Sequence, residues 1–162
     1  MISDSRLAEL DQLQADYIYA LDSKDMGQWL AQFSTDQAAS YICTSLENVR
    51  KEYALALILD DCYARLQDRV TYVTKVWAGV FQDYKTRHLT QRLRVKPIDE
   101  RTFEILTAFV VYYVADEDGT AAILTTGEYL DVVRLEPSGP RFLQKKAVLD
   151  TSVLPHYLIY PL

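Results

Sequence analysis

From Thr102 onward the apolar positions crowd so closely that three long strands follow one another: 102–116 (TFEILTAFVVYYVAD), 121–135 (AAILTTGEYLDVVRL) and 141–150 (RFLQKKAVLD). Their Val, Ile, Leu, Tyr, Phe and Thr side chains suit a pleated surface. Turn signals separate them: Glu117-Asp118-Gly119, then Pro137-Ser138-Gly139-Pro140, where Gly supplies positive φ and Pro presets φ. Two successive hairpins make a meander. In the first strand Phe103, Ile105, Thr107, Phe109, Val111 and Tyr113 take one face, and Leu106, Ala108, Val110, Tyr112 and Val114 the other. Both faces are apolar, so each must be covered, whereas a sheet solvated on one side alternates apolar with polar. Gly127 interrupts the second strand, where Gly commonly marks a bulge or close backbone approach, and a bulge or sharp bend within two residues of it is expected.

The first half of the chain carries the helical period. Ser3 or Ser5 can cap a helix with Leu7, Leu10, Leu13, Tyr17 and Leu21 at steps of three and four, ending near Asp22-Ser23. A shorter helix from about Asp25 to Phe33 places Met26, Trp29, Leu30 and Phe33 on one stripe and should form a hairpin with the first. Residues 38–44 (AASYICT) read as a strand; 48–60 are buried chain of undecided type, because a short apolar run does not distinguish helix from strand. From Asp60 or Asp61 a third helix carries Cys62, Leu66, Val70, Val73 and Trp77 along one face and ends near Gly79. Residues 86–97 (TRHLTQRLRVKP) alternate, with Leu89, Gln91, Leu93 and Val95 opposite His88, Thr90, Arg92 and Arg94, a strand with one side toward water or a partner. The order predicts an α+β domain with helices on one side of an antiparallel sheet.

Composition narrows the class. A chain of 162 residues, 49% hydrophobic, suits one domain (1–162) with one core. A net charge of −6 argues against a nucleic-acid groove, which needs a basic face. No apolar run approaches a membrane span, and the N-terminus lacks the order of a signal peptide, so a soluble cytoplasmic protein is expected. Cys43 and Cys62 are expected to be free thiols.

Candidate chemistry is sparse. His88 and His156 are the only histidines, and neither sits in a metal-binding pattern. The five glycines are isolated, so no phosphate loop is present. One catalytic constellation is open: Tyr17, Asp22, Asp25, His88 and Tyr112 or Tyr113 at the mouth of a pocket, doing general acid and base work on a small ring or enol substrate. The bland alternative has Asp22 and Asp25 ending one helix and starting the next, with His88 bonded at a sheet edge or interface. Arg65, Asp68, Arg69, Arg87, His88, Arg92 and Arg94 also concentrate charge, and Asp68, Arg69, Arg87 and His88 are expected at or near a subunit boundary, where charge selects partner and register.

The pieces LDSKDMGQWLAQF, the Tyr41 strand, LDDCYARLQDRV, TRHL, TTGEYLD, LQKKAVLDTSV and the closing PL follow one another across nearly the whole chain. In that order they resemble the small (β) subunit of the aromatic-ring-hydroxylating dioxygenases, in the branch serving aromatic acids such as terephthalate, anthranilate and salicylate. The resemblance implies the cone-shaped, cystatin-like fold of nuclear transport factor 2 (NTF2-like) and scytalone dehydratase, with three N-terminal helices on a curved antiparallel sheet. It also implies no cofactor or metal in this chain. The Rieske 2Fe-2S cluster, with two Cys and two His, and the mononuclear iron, with two His and a carboxylate, would belong to the large (α) subunit. The chain would then have no catalytic residue and would assemble and hold the large subunits, three of each kind. A homotrimer would cover the second apolar face through Phe109, Val110 or Val111, according to which parity the helices leave free. A free-standing dehydratase or isomerase of the same cone, or a ligand-binding module, is the alternative.

Overall fold

The computed structural model describes residues 2–117 and 119–162; Asp118, within the first predicted turn, lies outside them. Helix α1 (Asp4–Asp22) begins where Ser3 accepts a bond from the Arg6 N–H, and it buries Leu10, Leu13, Tyr17, Ala20 and Leu21. Lys24 turns the chain with φ of 60°, and Asp25 caps α2 (Met26–Ala31) by accepting from the Gln28 N–H at 2.9 Å. Met26, Trp29 and Phe33 are buried, as their spacing predicts.

Strand β1 (Ser40–Ser45) leads into a short helix α3 (Leu46–Arg50) and a three-residue strand β2 (Ile58–Asp60). Between them residues 51–57 are irregular and exposed, which corrects their expected burial: Tyr53, Leu55 and Leu57 face outward. Helix α4 (Tyr63–Thr71) continues as a π-helical turn over Tyr72–Val76, where the Trp77 N–H reaches back five residues to the Tyr72 carbonyl at 2.9 Å. Gly79, at φ of 73°, completes the exit.

The remaining strands are β3 (Tyr84–Pro97), β4 (Thr102–Ala115), β5 (Ala121–Glu136) and β6 (Gly139–Leu149). Sheet order is β2-β1-β6-β5-β4-β3. The meander is antiparallel throughout, and β1 adds to it in parallel with β6, with Ser40 opposite Gln144 and Ser45 opposite Leu149. That pairing was not visible in the sequence, which fixes neither the position nor the direction of an isolated strand.

The helices lie on one face and enclose a core of Tyr17, Trp29, Phe33, Tyr41, Tyr129 and Phe142, whose rings meet mostly edge to face at 5 to 6 Å. Edge-to-face pairs of this kind add roughly 0.5–1.5 kcal/mol each beyond area burial. The ambiguity of β4 is settled here. Phe103, Ile105, Thr107, Phe109 and Val111 face the helices, and Val110 and Tyr112 face away. On β3 the polar parity turns inward: His88 is buried while Leu89 and Leu93 are half exposed on the outer face. The reason is α1, which presents Asp11 and Asp22 to that strand, so the inward partners are Arg92 and His88. A register shift leaves Leu93 unpaired and turns Val95 back toward the core.

Gly127 does not sit at a register break. Pairing with β4 is continuous from Thr125 to Tyr129 and pairing with β6 starts at Gly127, so the expected bulge within two residues is not there; the nearest break on β5 lies three residues away, at Leu124. A Cβ at Gly127 would stand 2.2 Å from the Val148 carbonyl oxygen and 2.9 Å from Phe109 Cζ, so the requirement is close approach of β6 and the Phe109 ring.

Residues 150–162 fold back over the open end of the cone. Tyr84 Oη accepts from the Ile159 N–H at 3.2 Å, and Leu162 is buried, with its carbonyl accepting from the Tyr17 and Tyr41 hydroxyls at 2.7 and 3.1 Å.

Candidate functional site

Of the residues weighed for catalysis, Asp22 and His88 meet. Asp22 Oδ1 lies 2.6 Å from His88 Nδ1 and accepts from the Thr86 hydroxyl at 2.9 Å, while Oδ2 accepts from the His88 N–H at 3.0 Å. A carboxylate has no proton to give here, so Nδ1 carries the hydrogen. The other ring nitrogen, Nε2, is buried without a partner among the described residues, and the side chain is 1% exposed. Tyr17 is engaged elsewhere, at Leu162, and burial pushes its hydroxyl well above the ordinary tyrosine range. Asp25 caps α2, Tyr112 points outward, and Tyr113 packs on the His156 ring at 5.5 Å. The cluster therefore straps the end of α1 to β3, and the expected trio is not assembled at an open mouth.

Sequence reasoning missed the most buried charges. Asp131 on β5 and Lys145 on β6 are register partners, joined at 2.9 Å with side chains 1% and 0% exposed. Lys145 Nζ also donates to Gln14 Oε1 at 2.9 Å and stands 4.0 to 4.3 Å from the ring centres of Tyr129, Phe142 and Tyr17. Burial pushes the Asp131 carboxyl up and the Lys145 ammonium down, and their mutual attraction opposes both shifts. A signal existed: Asp131 shares its parity with Tyr129 and Val133, and Lys145 with Ala147 and Leu149, so two opposite charges interrupt two apolar faces of adjacent strands.

The donors do not suit an iron centre. Cys43 is buried in the core, its thiol pushed up to about 12 by burial, and Cys62 lies at the start of α4. His88 Nδ1 is held by Asp22 and His156 packs on Tyr84. Among the described residues no group of three or more His, Cys, Asp or Glu side chains converges.

The residues expected at a subunit boundary divide. Phe109, Val111 and His88 belong to the interior: the first two face the helices and His88 is claimed by Asp22, which corrects their assignment to an interface. Arg69 clasps Asp60 with two bonds of 2.9 and 3.0 Å and is partly buried, and Asp68 and Arg87 are exposed. Val110 lies on the outer sheet face among Leu89, Tyr112, Ile123 and Leu130. A second apolar area follows β1, where Val49, Tyr53, Leu55, Leu57 and Leu59 are each 41 to 63% exposed.

The family model described as "Ring hydroxylating beta subunit" matches residues 18–156. Over its full length the chain is 25% identical to subunit beta 2 of the terminal oxygenase component of terephthalate 1,2-dioxygenase from Comamonas sp, covering all of that protein. It is also 25% identical to the anthranilate 1,2-dioxygenase small subunit of Burkholderia cepacia, over 95% of this chain and 92% of that one. The crystal structure of the benzoate 1,2-dioxygenase beta subunit from Burkholderia mallei superposes with a TM-score of 0.72 at 18% identity, covering 88% and 89% of the two chains. A Nostoc punctiforme protein with a cystatin-like fold gives 0.65 at 17% identity, over 95% and 97%. No helix among the described residues is long and apolar enough to cross a membrane. With a cystatin-like cone and a family match over most of its length, the chain belongs to the ring-hydroxylating beta subunits, the small subunits of the aromatic-ring-hydroxylating dioxygenases.

Proposed function

We propose that this chain is a non-catalytic assembly subunit, which holds iron-bearing large subunits together in a cytoplasmic oxygenase that attacks aromatic acids. The observation that carries the reading is the division between its two sheet faces. The inner face packs the chain's own aromatic rings around Tyr17 and Trp29, with the Asp22–His88 pair closed off, while the outer face exposes Leu89, Tyr112, Ile123 and Leu130. Large apolar side chains exposed together on one sheet face support an interaction surface there.

The Rieske cluster and the mononuclear iron would reside in the large subunit. The dispersal of Cys43, Cys62, His88 and His156 supports this, since those ligands cannot gather without unfolding the domain. Three copies of this chain would meet through the outer face around Val110, with Asp68 and Arg87 near the boundary. The terephthalate and anthranilate names of the relatives support an aromatic acid as the substrate of the complex.

Co-expression with the large subunit tests the reading. The two chains should co-purify at equal stoichiometry with a mass corresponding to three of each, and oxygenase activity should require both. A monomeric chain that leaves the large subunit active and correctly assembled in its absence would overturn it.

A further inference from the structure

A cleft of about 330 Å³ opens between α1 and the inner face of the sheet, and neither Tyr17, Asp22 nor His88 lines it. Its rim is the Asp11–Arg92 ion pair, which ties α1 to β3 through bonds of 2.6 and 3.1 Å. Leu10, Ile18, Ile105 and Phe142 supply apolar walls. Two polar groups in the walls are unusual for an interior, because they are left unpaired among the described residues. Thr107, 2% exposed, places its hydroxyl-bearing side chain in the lining. Asp131 Oδ1 and Gln14 Nε2, on two further lining residues, are buried without partners among the described residues; their other polar atoms are both taken by Lys145.

We propose that this cleft binds a small, neutral, hydroxyl-bearing ring compound. Ligand sites begin near 300 Å³ and combine apolar walls with a few convergent polar groups, and one benzene ring fits a cavity of about 150 Å³. A hydroxyl can donate to the free oxygen of Asp131 and accept from Gln14 or Thr107, which satisfies groups that cost free energy while unpaired. Charge selects against ions. Lys145 neutralises Asp131, and Arg92 neutralises Asp11, so a carboxylate finds no free cation and an ammonium no free anion. The proposal requires no chemistry in this chain and does not depend on its role in assembly.

The test is an amide chemical-shift titration of the full chain with benzyl alcohol, toluene and benzoate. Benzyl alcohol should shift Gln14, Ala15, Thr90 and Thr107 saturably and bind about tenfold more tightly than either analogue, the value of one hydrogen bond or one desolvated charge. Thr107→Val should weaken it roughly threefold to tenfold, and Ala15→Phe, at the exposed rim, should abolish binding with the near-ultraviolet dichroism unchanged. Toluene binding as tightly would make the cleft a merely apolar gap, and tighter benzoate would make it an anion site. Either result overturns the proposal, as does the absence of saturable shifts up to about 20 mM, or benzyl alcohol binding that survives Ala15→Phe.

Discussion

Asp131 and Lys145 face one another across β5 and β6, 2.9 Å apart, with the lysine side chain fully buried. A buried ion pair is weak evidence of stabilisation, because desolvating both ions offsets their attraction; removing one partner is a different matter. Lys145→Met should therefore destabilise the chain by about 3–5 kcal/mol, whereas Asp131→Leu with Lys145→Met should recover much of that loss. A double-mutant cycle from urea unfolding checks this, and two single losses that simply add would contradict it.

Gly127→Ala places a methyl group 2.2 Å from the Val148 carbonyl oxygen. The neighbour is backbone in a paired strand, so it cannot swing away. A loss of about 2 kcal/mol or more is expected from overpacking, read as a lowered midpoint of thermal unfolding.

Asp22→Ala removes the acceptor for three hydrogen bonds at the end of α1. The expected cost is about 2–4 kcal/mol of stability, with turnover per assembled oxygenase unchanged within about twofold, since a structural strap does not touch the reacting atoms. A collapse of turnover with stability intact would restore the dyad as a catalytic pair.

Phe109→Lys and Val110→Lys separate the two sheet faces. Phe109 stacks on Tyr129 with ring centres 4.2 Å apart, so an ammonium there is buried without a partner and the variant should fail to fold. Val110→Lys should fold with unchanged circular dichroism and sediment at a lower mass. If both variants keep the wild-type mass, the outer face is not the interface.

Much of this architecture was legible. Helix α1, the capping Asp25 and the antiparallel meander follow from period and turn chemistry, which are local. What escaped was long range. The parity of β4 depends on where the helices dock, and His88 turns inward only because Asp22, 66 residues away, awaits it. Lys145 reads like its neighbour Lys146, and only the facing Asp131 and three aromatic rings explain its burial. The cleft beside α1 left no trace in the sequence, because its lining comes from five separate elements.

Alkaline pH should weaken the fold. Burial raises the Cys43 thiol from 9.0 to about 12, so below pH 9 both folded and unfolded chains hold the proton and its stabilising contribution is fully present. Above pH 9 the unfolded chain releases the proton first, and stability falls as pH rises toward 12, by an amount of order 4 kcal/mol for this group. Tyr17, Tyr41 and Tyr129, also raised by burial, act in the same direction. Urea midpoints between pH 7 and 11 should decline above 9, and Cys43→Ala should flatten the decline.

The parallel union of β1 with β6 carries a consequence for biosynthesis. Ser45 emerges about a hundred residues before its partner Leu149, which at roughly 5–20 residues per second is a wait of roughly 5–20 s. Throughout it, β1 has only the three-residue β2 to pair with, and its other edge stays open. Long-range pairings of this kind slow folding because loop closure precedes the contacts that reward it. The six-stranded sheet is thus completed only after β6 leaves the ribosome, and β1 is the last strand to join the meander.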